Sequence, residues 1–183
     1  MQLRAFVLVA IVATAAACSG NQLPEADIDN VIDTVTMGAL NGAALELPSA
    51  FDATTGFAVR TDQTSSFDFV YEIDSTGRHV ILPLQAIGLP VASGTNPGLQ
   101  IINQTFSAFV NPPTDGYSTT DTLEIHVGDV VAVRSRAACY LGVPQYAKVH
   151  VLSFNDSLRS ATMEAMSDTN CGYRSLAPGI PTS

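Results

Sequence analysis

The chain is predicted to be all-β, a single antiparallel sandwich or an open curved barrel of about eight strands. Two observations carry this prediction. After Pro48, apolar and polar residues alternate with a period of two, in segments separated by Gly, Pro, Asn and Asp. Apolar residues make up 46% of the 183 residues and charged residues 14%, which fits one globular domain and excludes a disordered or collagen-like chain.

The first strand is predicted near residues 33–40, where a β-branched run precedes Gly38. Apolar residues at helical spacing between positions 28 and 35 predict a short turn or helix that leads into it. Beyond Pro48 the alternation predicts the remaining strands, because it puts one row of side chains on the core and the other toward solvent. These strands are 56–61, 67–73, 79–84, 99–109, 122–127, 130–136, 146–154 and 159–166.

The connections between these strands are marked by turn residues. Residues 74–77 and 128–129 predict hairpin turns, because Gly and Asp tolerate the positive φ that tight turns demand. The last three strands are expected to form a C-terminal meander. Residues 88–97 and 111–120 are Gly- and Pro-rich and predict loops, where binding residues are commonly found, and the tail from Gly172 predicts extended coil.

The charge balance and the motifs exclude several function classes. The chain has 17 Asp plus Glu and 8 Lys plus Arg, a net charge of -9. It therefore lacks the excess of basic residues with which proteins bind the phosphates of nucleic acids. A nucleophile elbow, an EF-hand and a Gly-rich phosphate loop are absent from the sequence, so it does not predict an enzyme. Asp68 and Glu72 would lie about 13 Å apart on one strand face, too far for a glycosidase pair. Asp62 and Asp68 are therefore expected in a turn and on the solvent face.

The first residues predict export and lipid anchoring. Arg4 precedes an apolar and small-residue stretch over 5–17, as in a secretory signal peptide. Residues 15–20, Ala-Ala-Ala-Cys-Ser-Gly, resemble a bacterial lipobox, which implies that Cys18 is acylated and holds the protein at a membrane. Ser19 then favours the outer membrane by the sorting rules of such lipoproteins. The alternative is ordinary signal cleavage with a free Cys18. The predicted organisation is a signal peptide over 1–17, a lipidated tether over 18–27 and one β domain over 28–183.

Two cysteines remain for the folded domain. Cys139 and Cys171 follow the first and third strands of the predicted meander, and these two strands run in the same direction. Both cysteines are therefore expected at one end of the sheet, in an oxidising compartment where disulfides persist. A disulfide between them would close a loop of about 33 residues and stabilise the fold by about 3 to 4 kcal/mol in the chain-entropy model. A redox or metal-binding dithiol is disfavoured, because a close CxxC spacing is lacking.

Histidines are the first candidate ligands for a metal or a haem iron. His79, His126 and His150 each lie on or beside a predicted strand, on the less apolar face in the case of His126 and His150. The alternative is that all three are ordinary solvent-facing strand residues.

Aromatic residues fall into two groups. Phe67, Phe69 and Tyr71 share one face of their strand and are expected in the core. The second group consists of four tyrosines near predicted strand ends and loops, where their rings could line a pocket for a flat ligand. These are Tyr117, Tyr140, Tyr146 and Tyr173.

Two segments resemble the HmuY-like haem-binding lipoproteins. The first is residues 66–72, Ser-Phe-Asp-Phe-Val-Tyr-Glu, an aromatic-Asp-aromatic strand; the second is the strand pair 130–136 and 146–151, with its Tyr-Ala-Lys sequence. The resemblance implies an all-β domain that binds haem through two axial histidines and passes it to a transport system. His126 and His150 are the expected ligands, because both lie in the meander half of the chain.

These observations together predict a lipoprotein of the bacterial cell envelope that acts without catalysis. The leading hypothesis is that it binds a small ligand, with haem as the named candidate. The alternative is a structural or protein-interaction domain that presents its surface to another envelope protein and has no small-molecule ligand. An exposed, unpaired strand, or an apolar patch in the 88–97 loop, would favour this alternative.

Overall fold

A computed structural model describes residues 23–89, 91 and 94–182. The fold is all-β, as predicted, and consists of two antiparallel five-stranded sheets that pack face to face as a sandwich. In the described part of the chain, no helix has the length and apolar character needed to span a bilayer. The predicted signal peptide and Cys18 lie outside the described residues.

Ten strands make up the two sheets. In chain order they are β1 (Asp33–Gly38), β2 (Ala50–Asp52), β3 (Phe57–Val59), β4 (Phe69–Ile73), β5 (His79–Pro83), β6 (Gly98–Ile102), β7 (Leu123–Glu124), β8 (Val130–Ala137), β9 (Pro144–Asn155) and β10 (Ser160–Asp168), with a 3-10 helix at Leu84–Ile87. One sheet, here called the meander sheet, has the order β1-β10-β9-β8-β6. The second sheet has the order β3-β2-β4-β5-β7. The predicted C-terminal meander is confirmed as β8, β9 and β10.

The main core lies between the sheets and is built from the inward row of each strand. Phe69 and Tyr71 are fully buried there and pack with Phe51 of β2, as the predicted aromatic stripe requires. Phe67 is also buried but packs with Val70, in a separate cluster on the outer side of the second sheet. The alternation does not extend to Phe67, because β4 begins only at Phe69.

The outer face of the meander sheet is covered by its own loops. The predicted strand over 99–109 ends at Ile102, because the chain then turns and folds over the sheet. Phe106 and Phe109 of this turn pack against Tyr146, and the tail adds Leu176, which is fully buried. The tail from Gly172 therefore packs on the domain as extended coil, as predicted.

One predicted turn proves to be a different kind of connection. Residues 74–77 do join the antiparallel neighbours β4 and β5, as predicted. Gly128 and Asp129 do not form a hairpin, because β7 before them pairs with β5 in the second sheet while β8 after them belongs to the meander sheet. Gly128 has a φ of 96° at the point where the chain passes from the second sheet to the meander sheet.

The predicted disulfide between Cys139 and Cys171 is present, with Cα atoms 5.6 Å apart. It joins the loop after β8 to the segment after β10, at the end of the sandwich that we call the disulfide end. The chain before β1 lies against this end, where the backbone N–H groups of Asp27 and Ile28 donate to Asn170 Oδ1. The described part of the predicted tether, residues 23–27, therefore contacts the domain.

Candidate functional site

His79 lies at the start of β5 and is held on three sides. Its Nδ1 is 2.6 Å from the Tyr71 hydroxyl, its ring stacks on Phe154 with centroids 3.7 Å apart, and its Nε2 is 3.3 Å from Asp156 Oδ1. The Tyr71 hydroxyl and His79 Nδ1 share a hydrogen bond, and burial raises the pKa of Tyr71. His79 Nε2 lies toward the Asp156 carboxylate.

His126 and His150 are each engaged with carboxylates in different places. The His126 side chain is 71% exposed, and its ring nitrogens lie 3.4 Å from Glu124 and from Asp129. His150 lies on the outer face of the meander sheet, with Nδ1 3.3 Å from Glu164 Oε2 and its ring against Phe106. The contacts of these residues give no support to a shared axial pair.

Four cavities of the domain bear on the prediction for the histidines. A cavity of about 500 Å³ lies at the disulfide end and has Tyr140 and Tyr173 in its wall, so two of the four predicted pocket tyrosines do meet. Tyr117 and Tyr146 pair elsewhere, with ring centroids 6.3 Å apart. None of these four cavities is lined by histidine. The described residues also contain no group of three or more His, Cys, Asp or Glu side chains that could hold a metal ion. Haem ligation stays a prediction.

A buried ion cluster joins the two sheets at the disulfide end. Asp68 is fully buried, and its Oδ1 accepts hydrogen bonds from the backbone N–H and Nη1 of Arg136, at 2.9 and 3.1 Å. Its Oδ2 accepts from the N–H of Ala53 at 2.8 Å, and Arg136 Nη2 also reaches Asp52. Burial raises the pKa of Asp68 to about 6, against the lowering effect of Arg136 and the N–H donors. This cluster is structural, since it bridges the sheets.

The placement of Asp68 on the solvent face was wrong. The alternation breaks before β4, so the Asp68 carboxylate reaches Arg136 of the meander sheet instead of solvent. Asp62, by contrast, is exposed and pairs with Arg60 at 2.7 Å.

Lys148 is a second charged group that the alternation does not predict to be buried. It lies on β9, is 1% exposed, and its Nζ donates to the carbonyl oxygens of Phe106 and Phe109 at 2.8 and 2.9 Å. The Nζ also lies 4.6 Å from the Phe106 ring centroid. Lys148 therefore fastens the turn that covers the meander sheet. Burial lowers the pKa of this amine to about 8.

Lys148 is expected to make stability depend on pH in the alkaline range. Its pKa is about 8 in the folded state and about 10.4 when unfolded. The unfolded chain therefore binds more protons in this window, and the free energy of unfolding rises with pH from about 8 to 10, by at most about 1.4 kcal/mol per pH unit. Urea titrations at each pH measure it. Lys148→Met should remove the slope; a variant that keeps it would show that another group is responsible.

β1 is an edge strand, with a neighbouring strand on one side only. It has six residues, and the structure gives it one strand partner, β10, within the described residues. The other edge of the meander sheet is covered, because Leu99 of β6 exchanges two backbone hydrogen bonds with Ser118. The edge strands of the second sheet are short, three residues in β3 and two in β7. β1 thus offers an open edge to a further chain.

The outward backbone groups of β1 follow from its register. The Gly38 N–H points away from β10 and donates to Pro48 O at 2.8 Å. Because successive residues of an antiparallel strand point to opposite sides, the N–H and C=O groups of Thr36 and Thr34 also point outward. Both threonines are exposed, and neither backbone has a hydrogen-bond partner on the open side within the described residues.

A shallow groove lies at the start of this open edge, between the chain before β1, the β2–β3 turn and the end of β10. It has a volume of about 170 Å³. Val31 and Phe57 in its wall are 58% and 62% exposed, and Ile28 beside them is 49% exposed. Two carboxylates, Asp29 and Asp33, also line it. The groove therefore combines exposed apolar surface with negative charge next to unpaired backbone.

No family model, curated protein or solved structure matches the chain. A function must therefore be inferred from the geometry of the chain itself. Among the described residues, the candidate site is the open edge of β1 with its groove.

Proposed function

We propose that the protein is a lipid-anchored, non-catalytic interaction domain of the bacterial envelope, which binds an extended basic segment of another envelope protein along β1. The single observation that carries the proposal is the edge of β1, open at Thr34 and Thr36, with exposed Val31 and Phe57 near its start. Strand addition to such an edge gains affinity from main-chain hydrogen bonds and specificity from pockets for alternate side chains.

The edge lacks the devices with which proteins usually block edge pairing. β1 has the sequence Asp-Thr-Val-Thr-Met-Gly, with neither Lys nor Pro, and the described chain covers its open side only at Gly38, which bonds to Pro48. The groove at the start of β1 would receive a side chain from the end of an added strand. Exposed apolar residues in the groove favour an apolar side chain at that position.

Charge decides which partner fits. Asp29 and Asp33 lie at the groove, and the chain carries a net charge of -9. A second copy of the chain would bring a second net charge of -9, and like net charge opposes association. A segment in which Lys or Arg alternates with apolar residues would meet opposite charge, which also raises the association rate.

The location of the protein is part of the proposal and is supported by the sequence. The apolar stretch over 5–17 and the lipobox-like residues 15–20 support acylation of Cys18. Ser19 supports the outer membrane. An anchored domain keeps its partner site close to the membrane, where the effective concentration of an envelope partner is high.

A second candidate function is non-catalytic binding of a small ligand at the disulfide end. The specific observation in its favour is the cavity of about 500 Å³ that has Tyr140 and Tyr173 in its wall. Tyrosine rings offer stacking surfaces to a flat ligand. Haem is the ligand that the resemblance implies, although the predicted axial ligands His126 and His150 lie outside this wall.

Edge binding is tested with two labelled peptides of about eight residues, the length of a strand. One alternates valine with lysine and the other valine with glutamate, and fluorescence anisotropy measures their affinity for the domain. We expect the valine-lysine peptide to bind and the valine-glutamate peptide not to bind. Thr34→Pro should weaken binding at least about tenfold, or 1.4 kcal/mol, because it removes an outward N–H donor.

The matched control is Thr34→Val, which keeps the backbone N–H and should keep the affinity. Thr34→Pro should leave the urea midpoint nearly unchanged, since no hydrogen bond to β10 is lost. Hydrogen exchange should slow at the amides of Thr34 and Thr36 when peptide binds. Equal affinity for the two peptides, or exchange that does not change at these amides, would contradict the proposal. Protection that appears on concentrating the protein alone would identify a second copy as the occupant.

A further inference from the structure

The anchor point and the folded domain are close in the chain. Only residues 19–22 lie between Cys18 and Leu23, where the described structure begins. A fully extended chain of this length spans at most about 18 Å. From Pro24 onward the chain is held on the disulfide end, where the Tyr173 hydroxyl donates to Pro24 O at 3.0 Å. An acylated Cys18 would therefore keep this end within about 18 Å of the lipid.

The disulfide end carries an exposed apolar tip. The loop between β8 and β9 presents Tyr140, Leu141 and Val143, with exposures of 72%, 44% and 37%. Leu23 is 43% exposed and belongs to the same tip, because its side chain and that of Leu141 both approach the backbone of Gly172. A Cβ at Gly172 would lie 2.6 Å from Leu23 Cδ2 and 3.1 Å from Leu141 Cδ1.

The disulfide holds this tip in place. Cys139 precedes Tyr140 directly, and its bond to Cys171 ties the loop to the chain beside Gly172. The loop is closed by a hydrogen bond from the Gly142 N–H to Cys139 O at 2.9 Å. A short apolar loop with a fixed shape can enter a bilayer surface without a large loss of conformational entropy.

The chemistry of the tip fits a lipid surface better than a charged partner. Tyrosine is enriched at membrane–water interfaces, because its ring is apolar while its hydroxyl hydrogen-bonds to water and headgroups. The nearby charged side chains Glu25 and Asp27 are acidic, so attraction to anionic headgroups cannot drive the contact. Insertion of apolar side chains is therefore the contribution that would favour membrane binding, and this contribution is insensitive to salt.

We infer that the disulfide end docks on the bilayer that holds the Cys18 lipid, with Leu23, Tyr140 and Leu141 inserted at the membrane interface. This inference rests on the lipid anchoring in the proposed function and adds the orientation of the domain. The tip lies at one end of β9, and the turn at the other end of this twelve-residue strand lies about 40 Å away. The open edge of β1 then stands at the side of the domain and faces the aqueous space.

The test uses the absence of tryptophan from the chain. Leu141→Trp and Leu158→Trp each create a single fluorophore, in exposed turns at opposite ends of β9. The full-length acylated protein is reconstituted into phosphatidylcholine vesicles with brominated acyl chains, which quench tryptophan by contact. We expect the Leu141→Trp protein to lose most of its fluorescence, with an emission shift to the blue. The Leu158→Trp protein should keep its fluorescence and its emission maximum, and raised salt should change neither result.

The outcomes distinguish the docking of the disulfide end from the lipid anchoring of Cys18. Equal quenching of the two proteins, or stronger quenching for Leu158→Trp, overturns the docking. The mass of the purified protein reports acylation of Cys18 independently. A chain without acyl groups would overturn the anchoring and the docking with it, whereas an acylated chain with an unquenched Leu141→Trp fluorophore would overturn the docking alone. Unchanged urea midpoints show that both substitutions leave the fold intact.

Discussion

Asp68→Ala is expected to lower the free energy of unfolding by about 3 to 5 kcal/mol, the usual cost of removing one partner from a buried ion pair. The carboxylate accepts three hydrogen bonds, two from Arg136 and one from Ala53, and its removal leaves these donors without an acceptor in the sandwich. The loss falls on the contact between the two sheets, because Asp68 precedes β4 and Arg136 belongs to β8. Urea unfolding followed by circular dichroism measures it.

Two control variants separate the ion pair from general effects of the substitution. Asp68→Asn keeps one acceptor oxygen and should cost less than alanine, since part of the hydrogen bonding survives. Asp62→Ala removes an exposed carboxylate that pairs with Arg60, and it should cost at most about 1 kcal/mol. A loss for Asp68→Ala no larger than that for Asp62→Ala would show that the buried cluster does not support the fold.

Loss of the disulfide is expected to destabilise the domain by about 3 to 4 kcal/mol. Cys139 and Cys171 are separated by 32 positions in sequence, and their bond restricts the unfolded chain over that length. The double variant Cys139→Ser with Cys171→Ser should therefore unfold at a lower urea concentration than the oxidised protein. Reductant should lower the midpoint of the wild-type protein toward that of the variant and should leave the variant unchanged.

Thiol labelling provides an independent control on the disulfide. In the native oxidised domain neither Cys139 nor Cys171 should react with a thiol reagent, and both should react after unfolding under reducing conditions. Rapid labelling of either cysteine without reductant would mean that the bond is not formed in solution.

Much of the fold was predictable because local patterns carry it. Period-two alternation placed β8, β9 and β10 in the right order, and the spacing of Cys139 and Cys171 past two parallel-running strands predicted their disulfide. β2 was missed because it has only three residues, all of them buried, so no alternation marks it. The predicted hairpin at Gly128 failed since a turn residue does not indicate which sheet the next strand joins.

The candidate site was the less predictable part. The sequence could name residues with suitable chemistry, such as His126 and His150, but it could not show their neighbours, and the structure places each beside carboxylates outside the cavities described above. Burial of Asp68 and Lys148 could not be predicted either, because it depends on partners distant in sequence: Arg136 for Asp68, and the turn with Phe106 and Phe109 for Lys148.

By itself the sequence determined the all-β class, the disulfide and the acidic charge, together with the prediction of a lipid anchor. These properties depend on composition, local periodicity and spacing. Tertiary structure alone decided that β6 is covered by Ser118 while β1 stays open, and that Leu23 joins Leu141 at one tip. Both results depend on contacts between residues far apart in the chain, which no local pattern encodes.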